Sequence, residues 1–348
     1  MLNKAKDYLR RRVRAMQRSG QYPLLLPHHT LTQTGLITVD GATVTLGPAL
    51  KQALSVCDGR RTLGEVARQA VVPKAHLVKA QDDGLLLIWR SALPADLPGR
   101  QHHPHSIIVS PHLDDAALSC GGRMLGDQSM LVLNVFSQTA WWRFGHGAED
   151  AGKIQGCRQM EEELVSRLSG ATMQELGLPE ALLRGYAMED VFADGRGPRA
   201  GRLNEEVARR DGDASVKIRD AVAGLAREHP LAHWFVPLAV GDHIDHRLTR
   251  DAAVESLRAQ NITSTHLHFY EDLPYAAKLG PAADFSKAVA GYTLREELLD
   301  IDELIGWKLE LLRAYWSQFR WSELAELRAY AKAVGGDGAA EVTWWPGG

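Results

Sequence analysis

The sequence contains few cysteines and no long apolar run. Its three cysteines, Cys57, Cys120 and Cys157, are far apart and odd in number, which excludes a disulfide framework and favours a reducing cytoplasm. The longest apolar runs, such as residues 130–136, are too short to cross a bilayer, so no membrane span is expected. The N-terminus has no apolar signal-peptide core, and we therefore expect a cytoplasmic protein.

An excess of charge of either sign is also lacking. The formal net charge of -3 and the ordinary share of charged residues, 24%, give no argument for nucleic-acid binding. Residues 1–22 are an exception, because their pattern predicts a basic, weakly amphipathic helix. This helix either touches anionic lipid or nucleic acid or is a solvated terminal helix, and terminal charge runs favour the second interpretation. The length of 348 residues predicts two domains.

Residues 23–90 predict a small α+β module. Two β-rich runs flank an Asp40-Gly41 turn, three short helical patterns follow, and a final apolar run predicts a closing strand. Thr62 and Glu65 have the spacing of a capping box at the start of the second helix. This order of elements is similar to that of a winged helix.

Part of this module is similar to PqqD-like modules, which recognise peptides in biosynthetic pathways. The similarity rests on residues 57–63 and on the later Asp-Gly-Leu-Leu run, and it implies a peptide or carrier-protein partner. Winged helices also bind DNA through one helix in the major groove. The second helix offers only Arg68 and Gln69 as base readers, with Arg60 and Arg61 flanking it, so we expect no nucleic-acid partner.

Residues 91–105 are rich in proline and predict a linker. Its histidines, His102, His103 and His105, either bind a metal or are solvated, and the absence of a fixed geometry favours solvation.

A polar cluster at residues 106–122 is the stretch on which the functional prediction depends. The stretch begins as an apolar, β-branched run, which predicts a buried parallel strand. His112, Asp114 and Asp115 follow at the turn into a small-residue helix. Open α/β sheets bind their ligands at such strand ends, although either aspartate could simply cap the helix.

A second polar cluster, His243, Asp245 and His246, follows another apolar, strand-like run. If the two strands are neighbours, the turns meet. A metal site could then form from His112, Asp115 and one or both of the later histidines. The alternation of strands and helices predicts a doubly wound, mostly parallel α/β sheet.

The two clusters resemble the motifs of the PIG-L/LmbE-type zinc-dependent N-deacetylases. Residues 111–122 (Pro-His-Leu-Asp-Asp-Ala-Ala-Leu-Ser-Cys-Gly-Gly) are similar to the first motif, and residues 243–246 (His-Ile-Asp-His) to the second. The resemblance covers about residues 106–330. Leu113 and Ile244 stand where the family usually has proline, and both changes leave the polar groups intact.

The resemblance implies a Rossmann-like deacetylase domain over residues 106–348 and a metal site within it. His112, Asp115 and His246 would hold zinc, and ferrous iron also suits such mixed nitrogen and oxygen ligands.

The resemblance also implies catalytic roles. Asp114 would be the general base, and a protonated His243 would stabilise the oxyanion or protonate the leaving amine. Asp245 would hold His243 or His246 in the required tautomer.

Four further residues are candidate substrate contacts. Trp141 and Trp142 either wall a substrate pocket or pack locally. Arg158 contacts substrate or a metal-bound water, or else forms a surface ion pair. Glu271 lies in a stretch that resembles a family segment near the site.

The family acts on N-acylated small molecules, often amino sugars. We therefore expect a metal-dependent hydrolase that removes an N-acetyl or other N-acyl group from an amino-sugar-containing or natural-product substrate. Two alternatives stay open: a hydrolase of esters or thioconjugates, and an inactive regulatory protein whose N-terminal module binds a peptide or DNA. Residues 194–213, rich in glycine, arginine and aspartate, predict an exposed insertion that is a mobile lid or disordered.

Overall fold

The computed structural model describes residues 21–38, 40–99, 103–127, 129–146, 151–191, 209–262 and 264–347. Nearly all of the predicted basic helix at 1–22 and most of the predicted insertion at 194–213 lie outside these residues. Among the described residues, none of the helices combines the length and apolar character needed to cross a bilayer.

The first part of the chain folds into an α+β unit with an apolar core of its own. Its strands are β1 (Tyr22–Leu25), β2 (Thr30–Leu31), β3 (Gly35–Ile37), β4 (Thr43–Thr45) and β5 (Leu86–Trp89). Its helices are α1 (Pro48–Ser55), α2 (Leu63–Gln69) and α3 (Lys74–Asp82).

The local predictions for this unit agree with the structure, and one pairing was missed. The predicted hairpin forms between β3 and β4, and Gly41 in its turn has a φ of 84°. The predicted capping box forms between Thr62 and Glu65. The closing strand β5 pairs with β1, a strand that the sequence pattern did not predict.

The second part of the chain carries the main sheet and most of the helices. Its strands are β6 (Ser106–Ser110), β7 (Met130–Asn134), β8 (Trp141–Trp142), β9 (Gly145–His146), β10 (Thr172–Glu175), β11 (His233–Pro237), β12 (Leu267–Tyr270), β13 (Leu294–Asp300) and β14 (Ala340–Pro346). Its helices are α4 (Asp115–Gly126), α5 (Ala151–Ser169), α6 (Met188–Val191), α7 (Gly212–Glu228), α8 (Ile244–Ala259), α9 (Tyr275–Leu279), α10 (Ile305–Leu312) and α11 (Trp321–Gly335).

The main sheet has seven strands in the order β10-β7-β6-β11-β12-β14-β13. The five strands from β10 to β12 are parallel, and β14 and β13 add an antiparallel edge, which confirms the predicted mostly parallel α/β class. Strands β7 and β10 follow β6 in the chain and lie on one side of it, whereas β11 lies on the other side of β6. The crevice between the carboxyl ends of β6 and β11 is therefore the topological switch point of the sheet.

The central strands are apolar because both faces of the sheet are covered. All five residues of β6 and of β7 are buried, as is Trp234 in β11. Long apolar runs without alternation are the usual pattern of parallel strands enclosed by helices.

Strand β5 joins the two parts of the chain. Leu86 and Ile88 belong to the core of the N-terminal unit, whereas Leu87 and Trp89 belong to the main core. Successive residues of a strand point to opposite faces, so one strand supplies both cores. Trp89 also meets the ring of Trp307 in α10 edge to face, with centroids 5.8 Å apart.

We predict that replacing Gly84 with alanine destabilises this junction. Gly84 has a φ of +75°, and an added Cβ would lie 2.2 Å from the Trp316 ring. Gly41 has a φ of +84° with open space around it, so Gly41→Ala is a matched control that tests backbone strain alone. Overpacking should make Gly84→Ala about 1–3 kcal/mol more destabilising than the control in urea unfolding. Equal losses in the two variants would contradict a tight contact at Trp316.

Candidate metal centre and its cavity

Two turns at the switch point bring three candidate ligands together. His112 lies in the turn after β6, Asp115 is the first residue of α4, and His246 lies in the first turn of α8. Their ligand atoms all lie within 4.8 Å of one another. Asp115 Oδ2 is 3.1 Å from His112 Nδ1 and 3.2 Å from His246 Nε2. The predicted meeting of the two motifs is present in the structure.

The three side chains fit a divalent metal. His246 Nε2 is buried and has no hydrogen-bond partner among the described residues, although it lies beside Asp115. An unsatisfied buried polar atom costs free energy, which a cation shared with Asp115 would remove. Burial alone would lower the pKa of His246, but the carboxylates of Asp115 and Asp272 raise it to about 9. This concentration of negative charge and imidazole nitrogen is the donor set of zinc and ferrous iron.

Asp245 contacts a different histidine from the ones predicted. Its Oδ2 lies 3.0 Å from His112 Nε2 and accepts a hydrogen bond from Ala181 N at 3.0 Å, while Arg184 Nη2 is 2.8 Å from its Oδ1. Although burial opposes it, His112 and Arg184 hold the pKa of Asp245 below its ordinary value. The expectation that this carboxylate fixes the tautomer of His243 or His246 is wrong, because it orients His112. No pattern around Arg184 indicated a role in the site.

The ring of His243 is fixed by the backbone at the start of α8. Its Nδ1 accepts a hydrogen bond from Asp245 N at 3.1 Å, so the proton of the neutral imidazole lies on Nε2. Burial and the neighbouring His112 keep the pKa of His243 well below its ordinary value. Both observations favour a neutral ring over the protonated His243 that was predicted, and the role of His243 stays a prediction.

The partner of His246 is Asp272, which the sequence analysis did not single out. His246 Nδ1 lies 2.6 Å from Asp272 Oδ1. The neighbouring Glu271 was predicted to contact substrate, but its carboxylate accepts hydrogen bonds from Tyr330 Oη and Trp344 Nε1 and is absent from the cavity wall. Consecutive residues at the end of a strand point to opposite sides, so the two acids have different surroundings.

Arg158 is a buried partner of Asp114 rather than a surface charge. Its side chain is 3% exposed, and its Nη2 lies 2.7 Å from Asp114 Oδ1. Its Nη1 is 3.5 Å from Glu161 Oε2, and Glu161 in turn accepts hydrogen bonds from Ser317 N and Oγ at 2.6 and 2.7 Å. The surface ion pair, one of the two interpretations of Arg158, is therefore wrong. Arg158 is buried beside Asp114 and lines the cavity, so a contact with substrate stays a prediction.

A cavity of about 370 Å³ opens above these residues. Its wall contains Asp114, Arg158 and His243, together with polar and aromatic side chains that include Trp141. Trp142 is buried in an apolar cluster with Ile154 and Cys157. Each interpretation of the tryptophan pair therefore applies to one residue: Trp141 lines the cavity, and Trp142 packs locally.

The histidines of the predicted linker do not form a metal site in the described residues. The groups close enough to share a metal there include neither His103 nor His105, and His102 lies outside the described ranges. His105 is 71% exposed at its side chain and lies 3.6 Å from Asp127. The solvated interpretation therefore holds for His105.

The chain is similar in sequence to a curated protein. No family model matches the chain. The 2'-N-acetylparomamine deacetylase of Streptomyces fradiae is 32% identical over 244 residues, which span 66% of this chain and 80% of that protein.

Solved structures share the fold. The zinc-inhibited form of teicoplanin deacetylase Orf2 has a TM-score of 0.53 at 21% identity and covers 69% of this chain and 97% of its own. The pseudoaglycone deacetylase Dbv21 has a TM-score of 0.52 at 22% identity and covers 71% of this chain and 97% of its own. The Streptomyces relative is similar enough in sequence, over enough of its length, to show common descent. The chain belongs to the deacetylase family of the LmbE/PIG-L fold.

Proposed function

We propose that this chain is a zinc-dependent N-deacetylase that acts on an amino-sugar-containing intermediate of natural-product biosynthesis. The observation that carries the proposal is the convergence of His112, Asp115 and His246 beside a cavity whose wall includes Asp114 and His243. The Streptomyces relative is named for removing an acetyl group from 2'-N-acetylparomamine, which supports an N-acetylated small molecule as substrate. The comparisons do not support the peptide or carrier-protein partner predicted for the N-terminal unit, and we propose none.

His112, Asp115 and His246 would hold the metal, with zinc favoured and ferrous iron compatible with the same donors. When bound, a divalent metal supplies Lewis acidity, which polarises the amide carbonyl and makes water a stronger acid. Asp245 and Asp272 keep the two ligand histidines in fixed orientations through the contacts at His112 Nε2 and His246 Nδ1.

Asp114 is the general base of the proposed reaction. Arg158 holds Oδ1 at 2.7 Å, and we assign the proton of the attacking water to Oδ2. The oxygen of that water bonds to the amide carbon and the carbon–nitrogen bond breaks. The proton taken by Asp114 passes to the leaving nitrogen, so the products are acetate and an amine.

His243 stabilises the charge that develops on the amide oxygen. Since its Nδ1 accepts from the backbone of Asp245, the ring proton lies on Nε2, and we assign this N–H as the donor to the amide oxygen at the cavity wall. A donor fixed before the reaction needs no reorganisation when the negative charge appears. Neutral imidazole is sufficient for this role.

We predict that Asp114→Asn reduces turnover about 10²–10⁴-fold, the range for loss of a general base, and leaves the metal bound. His112→Ala should instead lose the metal of this site. Asp251→Asn, an exposed aspartate of α8, is the matched control and should change neither. Acetate release and plasma emission measure the two properties. Full turnover, or metal loss, in Asp114→Asn would contradict its assignment as base.

We predict that Asp272→Asn weakens metal binding about 10–100-fold, because His246 loses the carboxylate that orients it. Glu271→Gln is the adjacent control and should leave the metal dissociation constant unchanged. Competition with a chromophoric chelator measures both constants. Equal weakening in the two variants would argue against a specific role for Asp272.

The substrate class is tested by a paired panel of acetylated compounds. We predict acetate release from N-acetylated amino sugars and aminoglycoside precursors, and little release from their O-acetyl counterparts. A chelator should abolish the release, and added zinc should restore it. Preference for the O-acetyl compounds would favour an esterase. A protein that binds no metal and shifts DNA in a gel would favour the regulatory alternative.

A further inference from the structure

A separate group of possible metal ligands lies where the N-terminal unit meets α5. His28 follows β1, whereas Cys157 and Glu161 are one helical turn apart on the same face of α5. Their ligand atoms all lie within 4.8 Å of one another. The three residues are 8%, 2% and 0% exposed, respectively. None of them lines the cavity described above.

His28 has an unusual environment for a buried imidazole. Both of its ring nitrogens are buried without a hydrogen-bond partner among the described residues. Its ring meets His29 edge to face, with centroids 4.5 Å apart, and stacks on Trp316 at 6.5 Å. These ring contacts fix the orientation of the imidazole but satisfy neither nitrogen. Such polar atoms cost free energy unless a ligand engages them.

Cys157 and Glu161 offer a sulfur atom and a carboxylate beside the His28 ring. Cys157 Sγ lies 3.8 Å from Glu161 Oε1. Burial and the neighbouring Glu161 raise the pKa of the thiol to about 12, so metal binding must release its proton. The sulfur–hydrogen bond then breaks as the sulfur–metal bond forms, and the proton leaves to solvent.

We propose that His28, Cys157 and Glu161 bind a second divalent metal, zinc, which fastens the N-terminal unit to α5. One nitrogen, one thiolate and one carboxylate suit zinc and disfavour magnesium or calcium, which take oxygen ligands. The two anionic ligands balance the charge of the dication. Arg158, 3.5 Å from Glu161, makes its shorter contact with Asp114, at 2.7 Å.

This second site would act on the orientation of the catalytic groups. Glu161 accepts from Ser317 and lies 3.5 Å from Arg158, which holds Asp114. A metal bound to Glu161 would therefore fix the Glu161 carboxylate, which contacts Arg158, and Arg158 in turn holds Asp114. The N-terminal unit, through His28, becomes part of the support of the catalytic base.

Cobalt loading of the full-length chain distinguishes the two sites. The candidate ligands of the first site are nitrogen and oxygen atoms, whereas the second site includes a sulfur. Only the second site can give a thiolate-to-cobalt charge-transfer band in the near ultraviolet. We expect two equivalents of cobalt per chain and such a band. Absence of the band in the loaded wild type would overturn the proposal.

Variants assign the band to its ligands. Cys157→Ser and His28→Ala should each lose the band and one equivalent of cobalt. Cys57→Ser, a buried cysteine of the N-terminal unit, is the matched control and should keep both equivalents. His112→Ala should lose one equivalent and keep the band. Retention of the band in Cys157→Ser would refute the site.

A stability measurement covers the case in which Cys157→Ser fails to fold. Zinc should raise the melting temperature of His112→Ala, which keeps only the second site. It should not raise that of the double variant with His28→Gln, and equal shifts would overturn the proposal. Deacetylation is not needed for either readout. Acetate release without a cobalt–thiolate band would therefore refute the second site and leave the proposed reaction intact.

Discussion

The parallel pairing of β6 with β11 determines where the chemistry of this protein lies. These two strands are distant in sequence, but their hydrogen bonds place their carboxyl ends side by side at the switch point. Each strand is followed by a turn with histidine and aspartate, so one ladder brings His112 and His246 to the same carboxylate. A different strand order would leave two unrelated polar turns.

The buried charges around the cavity are tolerated because nearly every one has a partner of opposite sign or a hydrogen-bond donor. Asp114 faces Arg158, Asp245 faces Arg184, and Asp272 faces His246. Removing one member of a buried pair leaves an uncompensated charge, which is more costly than the pair itself. The network therefore selects a single arrangement of the side chains that bear the proposed roles.

The sequence predicted the parts of the site that depend on short-range pattern. The apolar run before His112 and the polar residues after it indicated a strand end, and the family resemblance gave the partner motif. The mostly parallel sheet and the deacetylase family are confirmed, while the roles of individual residues stay predictions. The structure was needed to distinguish Asp272 from Glu271. Either of two adjacent acids after a strand could contact the site, and the sequence does not show which side chain points towards it. The structure was also needed for Arg184, whose contact with Asp245 depends on a fold that no local pattern encodes.

Strand β5 determines whether the chain can be shortened from its N-terminus. Since Leu87 and Trp89 face one core and Leu86 and Ile88 face the other, the N-terminal unit is continuous with the rest. A shortened chain that begins at β6 would bare the apolar surface on which Trp89 rests, including the Trp307 ring. Such a fragment would be prone to aggregate, because exposed apolar patches of this kind promote association.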